Sequence, residues 1–190
     1  MAPARPLAAI ASVASLPVGR VDREIDRRLA AITGPDAAAL RGRTGQAAAR
    51  LMYRAYEDRL GDGRWRALRA SGARPQRLLW TDSALGGAAA QARYVAGLVS
   101  WGTAHAMTRP VLEAAARRLR LEGDTLLGRQ EAAGAVLDRL ARLGIDYDAA
   151  AHRLEEESVP GLVEHWRRLH AAVEGRPAGR AGDQEPARLG

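Results

Sequence analysis

Apolar residues recur at helical spacing along most of the chain. Ile25, Leu29 and Ile32 fall at i, i+4 and i+7, and Gly34-Pro35 ends that pattern. Ala48, Leu51, Met52 and Ala55 form a second stripe, which stops near Gly61-Asp62-Gly63. A short helix over Arg64–Ser71 follows. Thr108 is placed to cap a helix with Pro110 in its first turn and Leu112, Ala116 and Leu119 along one face. Ala133, Val136, Leu140 and Leu143 line another helix, with Gly144 at its C′ position and Asp146 capping the next. The last helix carries Leu162, Trp166 and Leu169.

Strand patterns are few and short: Ser12–Val18, Gln76–Thr81 and Thr103–Met107. Each is followed by helical pattern, which predicts β/α units around a parallel sheet in a mostly helical α/β chain. The first 19 residues admit a second reading, as a secretory leader with Arg5 ahead of an apolar run from Pro6 to Val13 and small residues around Ala14. As a short apolar run, Ala9–Val18 also suits a buried parallel strand. Residues 1–174 read as one domain, and residues 175–190, rich in Gly, Pro and charge, as a disordered tail. No internal repeat and no transmembrane run is present, and a cytoplasmic location is expected.

Composition narrows the chemistry. Of 190 residues none is Lys, Asn, Phe or Cys, and all 29 basic positions are arginine. Ala, Arg and Gly are abundant, the mark of a GC-rich genome. Without cysteine there is no disulfide, thiol nucleophile or thiolate metal site. His105, His152, His165 and His170 form no ligand spacing, so no metal is expected. Net charge is +7. The arginines alternate with acids, as in Arg23-Glu24-Ile25-Asp26-Arg27-Arg28, which is the pattern of a solvated, ion-paired face. Specific nucleic-acid binding and membrane association are not expected. Trp65, Trp80, Trp101 and Trp166 read as packing residues, and Tyr147, between two aspartates, as a surface residue near a cap.

An ordered series of fragments resembles one known family. It starts at Ser12-Val-Ala-Ser-Leu-Pro-Val-Gly-Arg-Val-Asp-Arg-Glu-Ile-Asp-Arg-Arg-Leu29 and continues through Ala39-Leu-Arg-Gly42, Ala49-Arg-Leu51, Tyr56-Glu57, Arg64-Trp65, Gly72-Ala-Arg-Pro-Gln-Arg77 and Leu79-Trp80. Gly102-Thr103, Met107, Gly123-Asp-Thr125, Leu143-Gly-Ile-Asp-Tyr-Asp148 and Trp166 complete it. Over roughly residues 10 to 172 the chain resembles the C-terminal half of a transaldolase of the actinobacterial type. The resemblance favours the strand over the secretory leader near the N-terminus.

The resemblance implies part of a (β/α)8 TIM barrel, about its last three β/α units with extra C-terminal helices, and chemistry at the C-terminal strand ends. It implies a transferase of the pentose phosphate pathway, moving a dihydroxyacetone unit between sugar phosphates through a lysine Schiff base, with no metal or organic cofactor. Ser15 falls on the family's substrate-facing serine and Arg20 on its phosphate-binding arginine; Ser83 is the remaining polar match. Arg20 also has a purely structural reading, as an ion-pair partner of Asp22 or Glu24. Pro17 replaces an aromatic residue. Where the family runs Ala-Ser-Thr and then a basic residue, this chain has Thr81-Asp82-Ser83 and then Gly86. The earlier strands, which carry the lysine and the acid/base carboxylates, have no counterpart in these residues. The expectation is a truncated form, inactive alone, with no catalytic residue of its own. The alternatives are a non-catalytic interaction module and one half of a split enzyme. Three of eight strands leave two edges and an apolar interior face open. Self-association, or an N-terminal half supplied by another chain, is expected.

Overall fold

The computed structural model of the chain describes residues 6–82 and 87–175. The chain divides into two compact units, Met1–Ala151 and His152–Gly190. In the first, a 3-10 turn (Leu7–Ala9) leads to β1 (Val13–Pro17) and α1 (Val18–Leu29). Then come α2 (Pro35–Leu40), α3 (Thr44–Leu60), α4 (Gly63–Ala70) and β2 (Arg77–Thr81). They are followed by α5 (Ala88–Gly97), β3 (Thr103–His105), α6 (Arg109–Arg118), α7 (Gln130–Arg142) and the start of α8 (Tyr147–Glu174). The fold is mostly helical α/β, with a parallel sheet in the order β1-β2-β3 among the described residues.

The sheet register sorts the strand side chains into two faces, because successive side chains point to opposite sides. Ala14 pairs with Leu78, and Leu78 with Thr103; Leu16 pairs with Trp80, and Trp80 with His105. This face packs on the helices: Leu78 and Trp80 join Val18, Ala49, Tyr53, Tyr56, Tyr94, Leu98 and Leu126 in a buried cluster, with Ala14 and Leu16 against it. The Trp80 indole N–H donates to the Leu98 carbonyl at 3.1 Å, which allows a large polar-edged ring to be buried whole. The other face carries Val13, Ser15, Pro17, Arg77, Leu79, Thr81 and Ala104. Val13 is 56% exposed there, and Ser15 and Arg77 are exposed. The expected open face therefore exists but is mixed, with Ser15, Arg77 and Thr81 among its apolar residues.

A second cluster joins α1, α2, α7 and the start of α8 through Ile25, Leu29, Ala37, Leu40, Leu140, Ile145 and Ala150. Gly144 has φ +76 at the C′ position of α7, and the Ile145 N–H reaches back to the Leu140 carbonyl at 3.0 Å, as the sequence led one to expect. Asp146 caps α8 by accepting from the Ala149 N–H at 3.0 Å.

Several expectations are corrected. On α6 the buried residues are Val111, Ala114 and Ala115, while Leu112 is 56% exposed. An alanine-rich helix satisfies several apolar phases equally, so spacing alone picked the wrong one. Thr108 occupies the N-cap position, but its side chain makes no capping hydrogen bond. On α3 the buried face runs through Ala49, Tyr53 and Tyr56, and Ala55 is exposed. Helix α5 was not anticipated. Trp101 and Trp166 are 64% and 65% exposed, so neither is a core residue, unlike Trp80. Trp101 instead stacks on the Tyr56 ring at 6.4 Å. Tyr147 is half-buried rather than a surface residue.

In the second unit the helix keeps the expected apolar stripe, but Leu162, Trp166 and Leu169 lie exposed on it. No described helix is long and apolar enough to cross a membrane. The tail assigned to residues 175–190 lies, but for Gly175, outside the described residues.

Candidate functional site

The C-terminal ends of parallel strands are where a sheet of this kind presents ligand-binding groups. At this end β1 runs directly into α1, because Pro17 closes the strand and its ring supplies a φ of -80 at the N-cap. Ser15 lies on the sheet face turned away from the helical core, at the register level of Leu79 and Ala104. Arg20 is the third residue of α1 and half-buried. The first turn of α1 holds no acidic residue and no capping side chain. Its amide dipoles and the guanidinium thus favour an anion together. Ser83 and Gly86 lie outside the described residues.

Asp22 and Glu24, the carboxylates read as structural partners of Arg20, each accept hydrogen bonds from further groups. Glu24 accepts from Arg27 at 2.9 Å and from Arg28 at 3.0 Å. These arginine hydrogen bonds, Arg27 first, hold its carboxyl below the ordinary value. Asp22 is fully buried, accepts the Gly45 N–H at 2.8 Å and accepts a short hydrogen bond from the Tyr94 hydroxyl. Burial pushes the Asp22 carboxyl above its ordinary value, against the pull of those donors, and neighbouring Asp26 adds to the rise.

Asp22 is the residue that sequence reasoning passed over. Its place was legible: it sits at i+4 from Val18 and i−3 from Ile25, on the apolar face of α1. The N-terminus of α3 has no side-chain cap of its own, and the Asp22 carboxylate serves it from another helix. The approach requires glycine at position 45. A Cβ there would run into the Val18 carbonyl oxygen and meet Asp22 Oδ2 at 2.8 Å. Asp22 thereby ties α1, and the turn bearing Arg20, to α3 and α5.

The departure at Asp82 also has a physical account. Asp82 follows β2 with φ +48, and its carbonyl accepts the Gly19 N–H at 2.8 Å. Its carboxylate pairs with Arg23 Nη2 at 2.6 Å. The negative charge that the sequence placed beside the expected anion is thus met by Arg23. The same residue latches the end of β2 onto the first turn of α1.

A sequence model of the transaldolase/fructose-6-phosphate aldolase family matches residues 2–173. The chain belongs to the transaldolase family. It is 44% identical over 168 residues to a transaldolase of Acidothermus cellulolyticus, which is 88% of this chain and 45% of that protein. It is 42% identical over 166 residues to a transaldolase of Thermobifida fusca, covering 87% of this chain and 45% of the relative. To transaldolase 1 of Streptomyces avermitilis it is 42% identical over 180 residues, covering 94% and 48%. The chain spans about half the length of the curated relatives it matches, and that half is their C-terminal one. The likeness stated from the ordered fragments is thereby established at the level of the family.

Proposed function

We propose that these residues form the phosphate-side portion of a transaldolase-type site, acting on sugar phosphates in the cytoplasm. In this reading the sheet is an arc of a (β/α)8 barrel, and the dihydroxyacetone transfer of the pentose phosphate pathway is the reaction it serves. The observation that carries it is Arg20, in the acid-free first turn of α1 directly beyond β1, within a chain of the transaldolase family. A guanidinium donates two parallel charge-assisted hydrogen bonds to a phosphate, and the helix N-terminus adds to the attraction. Ser15 and Ser83 are assigned to the same ligand.

The amine that forms the Schiff base is not among these 190 residues, since none is lysine. Arginine stays protonated and cannot condense with a ketone. In this reading the chain alone is inactive; in the split-enzyme alternative another chain supplies the lysine. Titration with fructose 6-phosphate and with inorganic phosphate, followed by calorimetry or chemical shift, tests the site. Binding no tighter than about 1 mM is expected for one arginine in water. It disappears in Arg20→Ala. An equal response from that variant removes the assignment.

A further inference from the structure

Arg50 lies near the middle of α3 and is half-buried. Its Nε is buried and has no hydrogen-bond partner. A guanidinium N–H taken out of water without an acceptor is costly, so such a group calls for one. At i+4 on the same helix, Arg54 meets Asp58 at 3.2 Å. Arg50 makes no ion pair among the described residues, and no acid acts on its charge. Asp124, close by in the connection between α6 and α7, is taken up by the Ser100 hydroxyl and by the Leu126 and Leu127 amides.

The chain brings Arg50 a second cation instead. Leu126 is fully buried in the cluster that holds Ala49 and Tyr53, the neighbours of Arg50 at i−1 and i+3 on α3. From there the chain turns tightly: Gly128 has φ +70, and the Arg129 N–H donates to the Leu126 carbonyl at 3.3 Å. The turn sets Arg129 at the N-cap of α7, which packs along α3. Burial first, and then the charge of Arg129, hold the Arg50 guanidinium below its ordinary value. Neither guanidinium gives up its proton at neutral pH. Glu131, the acid in the first turn of α7, is exposed and forms an ion pair with neither arginine among the described residues. Two like charges around an unpartnered donor are relieved by an anion that both can reach.

We propose that Arg50 and Arg129 form a binding site for a doubly charged tetrahedral oxyanion, sulfate or a phosphate group, on the helical layer. Arg50 offers the fork of its Nε–H and a terminal N–H, and Arg129 approaches from the turn before α7. A carboxylate presents one planar edge to one fork. A tetrahedral oxyanion presents several edges, so it serves two guanidiniums at once, and its two charges match theirs. The site is built from α3 and the connection between α6 and α7, not from the strand ends that carry Ser15 and Arg20. It therefore stands or falls apart from the reading above.

The test follows the Arg50 Nε–H resonance by proton–nitrogen chemical shift as sulfate, whose charge is constant near neutral pH, is added to the full chain. Saturable one-site binding at about 1 mM is expected for a few charge-assisted hydrogen bonds. Arg129→Gln weakens it at least fivefold; Arg129 is exposed, so the fold is retained, as circular dichroism checks. Arg54→Gln removes an exposed charge one turn away and leaves the affinity within twofold, which separates the site from net charge. Arg20→Ala also leaves it within twofold, whereas the response assigned above to Arg20, read at the amides of β1 and α1, is lost in that variant. No shift of the Arg50 resonance by about 50 mM sulfate overturns the proposal. Equal weakening by Arg54→Gln and Arg129→Gln overturns it as well, and so does a shift that vanishes in Arg20→Ala. Glycerol phosphate and inorganic phosphate, titrated into Arg20→Ala, name the source of the anion. Binding of the ester at least fivefold tighter assigns the site to an organic phosphate, and parity assigns it to the free ion; both results uphold the site.

Discussion

The two faces of the small sheet have similar backbones and opposite circumstances. On one, Leu78 and Trp80 are 3% and 1% exposed beneath the helices, and the Trp80 N–H has its acceptor. On the other, Val13 is 56% exposed and shares the face with Ser15 and Arg77. The difference teaches where selection by packing ends and selection by a ligand or partner begins. Side chains under the helices are fixed by volume and hydrogen bonding. The polar residues on the open face belong to no buried cluster among the described residues. Ser15 is on that face, and Arg20 follows one turn later.

Trp80→Ala is the strongest way to break this comparison. It empties a fully buried site and is expected to cost about 3–5 kcal/mol in urea unfolding. Loss of less than about 1 kcal/mol would mean that the helix-covered face is not the core. Gly45→Ala comes next. The new methyl group meets the Val18 carbonyl and Asp22, and the expected cost is about 1–3 kcal/mol from forced separation of α1 and α3. An unchanged unfolding midpoint would deny the close approach.

Asp22 sharpens the account through pH. Its folded-state pKa is raised, so the folded chain prefers the protonated carboxyl. The linked stability is fully present below the ordinary aspartate value of 3.8 and is lost as pH rises through the folded value. Relative to Asp22→Asn, the wild-type chain should therefore lose stability as pH climbs from 3.8 upward. A pH-independent difference between the two midpoints contradicts the buried-carboxyl reading. The smallest effects belong to the surface. Arg23→Ala removes an exposed pair with Asp82 and should cost at most about 1 kcal/mol. Val13→Ala on the open face should stay within about 0.5 kcal/mol.

Much of the architecture was legible. The three strands among the described residues lie inside the ranges marked out from the sequence. The α1 stripe through Ile25 and Leu29 and the Gly144 stop were equally plain. Phase failed on α6, where alanine on every side makes Leu112 and Val111 interchangeable on paper. Burial failed at Trp166, since a stripe shows only that a helix has an apolar face and not that something covers it. Ser15 and Arg20 were found through resemblance, not through spacing. Asp22 was visible as a carboxylate on an apolar stripe, yet its partners Gly45 and Tyr94 are 23 and 72 residues away. Only the folded chain brings them together. The positive φ at Asp82 had only a weak local signal, since aspartate tolerates that region less readily than glycine.

The central claim is that these residues hold the phosphate end of a transaldolase site and none of its amine. Borohydride reduction in the presence of fructose 6-phosphate, read by intact mass and peptide mapping, tests it most directly. The account predicts no dihydroxyacetone adduct on this chain, alone or paired with the N-terminal half of the Thermobifida fusca relative, and an adduct on that half alone. A reduced adduct on any internal residue of this chain would contradict it.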